Sequence, residues 1–230
     1  MNLIAIDSAA PVLSVAVAVE ESTWNFEADA GLKASELIMD IADMLMQKAG
    51  IKPGDLDGVL CMAGPGSFTG LRIGFSAAKG LALSLNIPFM PISSLECIAM
   101  VYSVWPGLVI PAIDARTNAF FCALFRGGNR LCRDMDAVPA QITAAIEKEK
   151  NSDEKILLAG PDAEKLYDTF VSNGYFSGLN DLAWAPRRGY AVSLIDIAKK
   201  KKFPCEGINE WLYKGPDYIR KSDAELNLQK

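Results

Sequence analysis

Residues 3–6 form an apolar run closed by Asp7, and after a short turn through Pro11 a second run extends from residue 12 to 19. Two apolar runs joined so closely predict an antiparallel hairpin. The same grammar returns at 109–113, 114–118 and 119–125, with Ile-Asp at the first turn in both copies. A second echo follows in the same order: residues 59–65 and 156–161 each read as a buried strand ending in Gly-Pro, with a helical pattern after it. Paired echoes in one order point to a duplicated unit, with chance likeness between buried strands as the competing reading.

Between the hairpin and the first Gly-Pro, residues 35–49 predict a helix with Glu36, Asp40, Asp43 and Gln47 on one narrow side. Its apolar positions cover roughly 220° of arc, about twice what one core-facing stripe requires. Such a helix is either deeply buried or contacts a second protein, and its methionines suit an adaptable contact. Residues 71–85 predict another helix, charged only at Arg72 and Lys79, with Gly74, Ala77, Ala78 and Gly80 small enough for a second backbone to approach. Residues 86–92 then return as a strand, which completes a βαβ crossover and implies parallel pairing. Further on, 97–113 reads as core helix, loop and strand, 139–150 and 161–172 as helices, and 178–186 as loop. An amphipathic helix over 190–202 ends in four lysines, which a solvated helix end explains better than a tRNA patch. Residues 211–220 are expected to pack back on the body, and 223–230 to fray. The expected domains are an N-terminal lobe, 1–105, and a C-terminal lobe, 106–230.

The chain has 230 residues, half of them hydrophobic, enough for one large core or two modest lobes. A net charge of −5 argues against gripping a nucleic-acid backbone unaided, since that grip comes from cations displacing counterions. Five cysteines without a CxxC pair write neither a disulfide framework nor a zinc ribbon, and fit a reducing cytoplasm. The first apolar run lacks the cationic flank of a signal peptide, and no stretch reaches the ~20 apolar residues of a membrane span. There is no histidine, which removes histidine metal sites, Ser-His-Asp and Cys-His nucleophiles and imidazole acid–base chemistry. No metal site or catalytic residue is assigned.

The glycine-rich run 64–74 follows a strand and opens a helix, the setting of an anion site made of backbone N–H groups. Neither a Walker loop nor a dinucleotide fingerprint fits it, and glycines that permit strand–helix packing explain it at least as well. Gly64, Gly66 and Ser67, with Asp7 and Asp114, are the candidate set for a nucleotide or phosphate. A turn-forming aspartate is the alternative for either acid.

The run AGPGSFTGLRIG at 63–74, between an Ile-Asp hairpin and IPFMPISSLE at 87–96, closely resembles the TsaB (YeaZ) family. The resemblance spans about 1–125, and PDYIR at 216–220 resembles the family's C-terminal pattern. It implies an α/β, duplicated actin/sugar-kinase-like fold, two lobes each with a mixed sheet and flanking helices. It also implies a non-catalytic subunit that binds the catalytic paralogue TsaD, which transfers threonylcarbamoyl to adenosine 37 of tRNA, with the ATPase TsaE joining the assembly. That paralogue carries His-x-x-x-His where this chain has Ser94 and Ile98. Many family members have His-Ser where Ala34-Ser35 stands. The implied partner-binding set on the two N-lobe helices is Leu37, Ile41, Met44, Leu45, Arg72, Phe75, Lys79 and Leu81, with a homodimer expected when the partner is absent. No cofactor is required, ATP or ADP at the subunit junction is compatible with the resemblance, and tRNA is met only indirectly. The competing function is an independent ATP-binding phosphotransferase of the same fold.

Overall fold

The computed structural model describes residues 1–176, 181–201, 203 and 214–219. The chain forms two compact units, one of Met1–Cys97 with Arg188–Pro216 and one of Ile98–Arg187 with Asp217–Lys230. The first contains β1 (Leu3–Asp7), β2 (Val12–Val19), β3 (Ser22–Asp29), α1 (Ala34–Ala49), β4 (Gly58–Gly64), α2 (Phe68–Leu85) and β5 (Phe89–Ser93). Helix α3 (Ser94–Val101) carries the chain into the second unit, which contains β6 (Gly107–Asp114), β7 (Phe120–Cys122), β8 (Phe125–Arg126), β9 (Asn129–Arg130), β10 (Met135–Ala137), α4 (Pro139–Glu149), β11 (Lys155–Ala159), α5 (Ala163–Ser172) and β12 (Leu182–Trp184). Helix α6 (Ala191–Lys200) returns to the first unit.

The sheets run β3-β2-β1-β4-β5 and β10-β7-β6-β11-β12, with β8 and β9 as a side ribbon on β6. In both, three antiparallel strands precede two parallel ones, and the helices fall at matching places in the order. This is the duplicated actin/sugar-kinase-like fold, and the hairpin and Gly-Pro echoes mark its corresponding strands: β1 with β6, β2 with β7, β4 with β11.

Every residue of β1 and β4 is buried, which requires cover on both faces of the sheet. On one face, Ile4, Ile6, Leu13, Val15, Val17 and Val59 pack with Ile38, Ile41, Leu45, Phe75 and Ala78 of α1 and α2. Strand alternation sends Leu3, Ala5, Ala16 and Ala18 to the other face. There α6 lies across β1, β2 and β4 and buries Ala191, Leu194, Ile195 and Ala198. The units are therefore not the contiguous halves 1–105 and 106–230. A sheet buried on both sides needs a second covering helix, and residues 191–200 supply it.

Three local differences have physical causes. β3 was not expected from the sequence because its apolar residues, Trp24, Phe26 and Ala28, alternate with exposed polar ones along a sheet edge. β12 lies within a stretch expected to be loop, since three residues beside Pro186 carry too short a pattern to read. α2 starts at Phe68 instead of 71, because Ser67 caps it. Of the expected tail over 211–220 only residues 214–219 are described, and the expected fraying over 223–230 lies entirely outside the described residues. Among the described residues, no helix is long and apolar enough to cross a membrane.

Candidate functional site

The Gly64 turn joins β4 to α2 and is held against the β1–β2 loop. Ser67 donates its N–H to the Ala9 carbonyl at 2.8 Å and accepts the Gly70 N–H on Oγ at 3.3 Å. Ser8 donates its hydroxyl to the Gly70 carbonyl at 2.8 Å. A Cβ on Gly66 would stand 2.8 Å from the Ala9 carbonyl oxygen, and one on Gly70 or Gly74 would intrude still more deeply on Ser8. Glycine is thus required at Gly66 and Gly70 because two backbones come within contact of one another, and at Gly74 because the Ser8 hydroxyl occupies the space of a Cβ. That accounts for Gly66, Gly70 and Gly74 without a ligand. Gly64 has φ 121°, a conformation reserved for glycine.

Asp7 ends β1 and is fully buried. Its Oδ1 accepts the Ala9 N–H at 3.1 Å and its Oδ2 the Tyr190 N–H at 3.0 Å. Strand register sets Asp7 opposite Ser14 and Ser14 opposite Glu27, so three acceptors stand in a row across β1, β2 and β3. Ser14 Oγ accepts the Ala191 N–H at 3.4 Å and Glu27 the Gly189 N–H at 3.0 Å. The backbone at the start of α6 therefore seats on this row and covers Asp7, and a Cβ on Gly189 would overlap Ser14. Burial pushes the Asp7 carboxyl up from 3.8 to about 7 against the lowering effect of its two N–H donors. Ser14, Glu27 and the 189–191 backbone were not singled out in the sequence. The available signal was an isolated serine in the apolar run 12–19, at the end nearest Asp7.

Asp114, the second acidic candidate, ends β6 in the other unit. Its Oδ2 accepts Lys165 Nζ at 2.6 Å, its Oδ1 the Arg116 N–H at 2.8 Å, and its own N–H bonds Asp162 at 2.8 Å. Burial raises its pKa, but Lys165 and the Arg116 N–H outweigh that and hold it below the usual carboxylate value. Gly64, Gly66, Ser67 and Asp7 thus meet around one loop of the first unit, whereas Asp114 is placed in the second. Among the described residues no group of three acidic or cysteine side chains could hold a metal ion.

The helices α1 and α2 pack side by side over the first sheet. Of the eight implied partner residues, Ile41, Leu45, Phe75 and Leu81 are buried in the core, so any part they play in a contact is through the packing beneath it. Phe75 meets Phe89 edge-on at 5.1 Å between ring centroids. Leu37 is half-buried, and Met44 is 38% exposed. Arg72 is exposed and lies over the Phe68 ring at 3.9 Å, and the half-buried Lys79 approaches the Phe75 ring at 5.0 Å and donates to the Lys214 carbonyl. The implied set leaves out Met39, one of the methionines suited to a contact, and Phe68 and Leu83, which sequence reasoning missed; the three are 45%, 40% and 49% exposed. The surface of the pair thus carries large apolar side chains among Arg72, Lys79 and the acids of α1.

A family model described as "TsaD: tRNA N6-adenosine threonylcarbamoyltransferase" matches residues 29–201, which sets the class. The chain is 34% identical to the tRNA threonylcarbamoyladenosine biosynthesis protein TsaB of Bacillus subtilis, covering 98% of this chain and 96% of that protein. It is 36% identical over 90 residues to the tRNA N6-adenosine threonylcarbamoyltransferase of Nitratidesulfovibrio vulgaris, covering 39% of this chain and 25% of that one. A Pseudomonas aeruginosa structure described as an uncharacterized protein with similarity to peptidase YEAZ shares the fold with TM-score 0.72 and 22% identity, covering 95% of this chain and 99% of that one. The chain belongs to the TsaB family, whose named role is tRNA threonylcarbamoyladenosine biosynthesis.

Proposed function

We propose that the chain is a non-catalytic, activating subunit for threonylcarbamoyl transfer to adenosine 37 of tRNA, and that it binds the catalytic TsaD subunit through α1 and α2. The observation that carries this reading is the outward placement of Met39, Met44 and Leu83 on two helices that already bury their other faces in the core. Apolar side chains exposed in this way gain free energy when a partner covers them, about 1 kcal/mol for each half-exposed Met or Leu. The lack of an own chemistry is supported by α3, where Ser94 and Ile98 are both 2% exposed and neither can supply an imidazole. In the same reading the protein works in the cytoplasm, pairs with itself when TsaD is absent, shares its assembly with the ATPase TsaE, and meets tRNA only through its partner. In this reading a resident cofactor is not required, and ATP or ADP held at the subunit junction would give a heat of binding in calorimetry.

The test is threonylcarbamoyl transfer by the family's catalytic subunit with and without this chain, together with Met44→Glu and Leu83→Glu. Because both side chains are already exposed, each substitution should leave stability within about 0.5 kcal/mol. A carboxylate buried unpaired in a contact costs at least about 3 kcal/mol, so binding should weaken by more than about a hundredfold. Both variants should fold and fail to stimulate. Full stimulation by the pair, or transfer by this chain alone, would overturn the reading.

A further inference from the structure

We propose that the Asp7–Ser14–Glu27 row is a latch that docks the Gly189–Ala191 backbone, and with it α6, onto the first sheet, and that releases it as pH rises. The geometry is that of a clasp: three side-chain acceptors from three adjacent strands, in one register row, take three consecutive N–H groups. The middle strand of the sheet places its acid at the buried end of the row, where the docked segment itself keeps water away. Among the described residues, the partners of the Asp7 carboxyl are the Ala9 and Tyr190 N–H groups, with no cationic side chain bonded to it. An ionised carboxylate in that position costs more to bury than the neutral acid, and the two N–H bonds offset only part of that cost.

The charged and titratable groups around it reinforce this. Glu27 of β3 adds a like charge, and Arg188 lies 3.8 Å from Glu27 instead of turning to Asp7. Cys61 of β4 and Cys97 of α3 are buried thiols that burial first, and the Asp7 charge among lesser causes, holds in the neutral form. Lys79 of α2 acts on Cys61, and Glu96 of α3 is paired with Lys201 at 2.7 Å. The charged residues of α6 itself, Asp196, Lys199 and Lys200, are exposed. Docking lifts the acid from its ordinary 3.8 to about 7, so the docked state binds a proton that the undocked state gives up. The latch is then tightest below pH 4, loosens as pH climbs toward 7, and stays at its loosest above it.

Hydrogen exchange of the intact protein, followed on peptides covering 188–198 and corrected for the intrinsic pH dependence of exchange, reads the opening directly. From pH 6 to pH 8 opening should increase about tenfold, while peptides of α4 stay unchanged. Asp7→Asn, which cannot ionise, should remove the rise, and Glu27→Gln should make it level off at a lower pH. Corrected protection that is constant in the unaltered protein would overturn the proposal, as would an equal rise in Asp7→Asn. Should Asp7→Asn fail to fold, the profile of the unaltered protein and the shift in Glu27→Gln decide the matter: a flat profile or an unshifted midpoint refutes the latch.

Discussion

Replacing Gly70 with alanine tests the account of the Gly64 turn, because helix propensity and packing predict opposite signs. Gly70 lies inside α2, where alanine is intrinsically favoured over glycine by about 1 kcal/mol. A Cβ there would come well inside 3.0 Å of the Ser8 carbonyl oxygen, a backbone atom that cannot swing aside. Restoring contact distance requires the start of α2 to retreat by about 1 Å. That movement would break the 2.8 Å bond from the Ser8 hydroxyl to the Gly70 carbonyl and disturb the Ser67 cap. Overpacking of about 1–3 kcal/mol and a lost hydrogen bond of about 1 kcal/mol outweigh the propensity gain, leaving a net cost of about 1–3 kcal/mol. Gly80, ten residues further along the same helix, is the control, since a Cβ there meets nothing within 4 Å. Gly80→Ala should gain about 0.5–1 kcal/mol. In thermal melts followed at 222 nm, Gly70→Ala should fall by about 2–12 °C and Gly80→Ala should rise by about 1–4 °C. A Gly70→Ala protein as stable as the original would show that the two backbones do not touch there, and would return the glycines to a ligand-binding explanation.

Three further outcomes follow from the second unit and from α3. Glu154 accepts Arg126 Nε at 2.7 Å, Arg126 Nη2 at 2.8 Å and the Asn151 N–H at 2.9 Å, so Glu154→Ala should cost about 2–3 kcal/mol in urea unfolding. The Arg126 hydrogen bonds hold the Glu154 pKa below its ordinary value, so this stabilisation is present above pH 4.5 and fades as pH falls through the lowered value; an unchanged acid midpoint in Glu154→Gln would contradict that. Ser94 has its Oγ buried without a hydrogen-bond partner among the described residues, so Ser94→Ala should be neutral or stabilising by up to about 1 kcal/mol, read as a Tm that does not fall.

What the sequence disclosed depended on how each segment is covered. β1, β2, β4, β6 and β11 are buried on both sides and read as continuous apolar runs, which is why both the hairpins and the duplication were legible. β3 at a sheet edge and the three-residue β12 carry too little pattern to stand out. The wide apolar arc of α1 signalled more than one contact but had no phase, so Ile41 and Leu45, which belong to the core, could not be told from Met39 and Met44, which face outward. The stripe on α6 disclosed that one face is buried without disclosing which sheet buries it. The polar row was hidden for a related reason: Asp7, Ser14 and Glu27 are neighbours only through strand register, and their ligands come from residues 189–191.

The return of α6 also orders events during synthesis. The face of the first sheet that holds Leu3, Ala5, Ala16 and Ala18 is complete as a surface once β4 has been made, yet its cover is not translated until residue 200. A nascent chain therefore carries a bare apolar face while the Ile98–Arg187 part of the second unit emerges from the ribosome, and a chain stopped at Arg187 would carry it permanently. Amino-terminal fragments of this protein should consequently depend on chaperones or aggregate, whatever the quality of the core beneath α1 and α2.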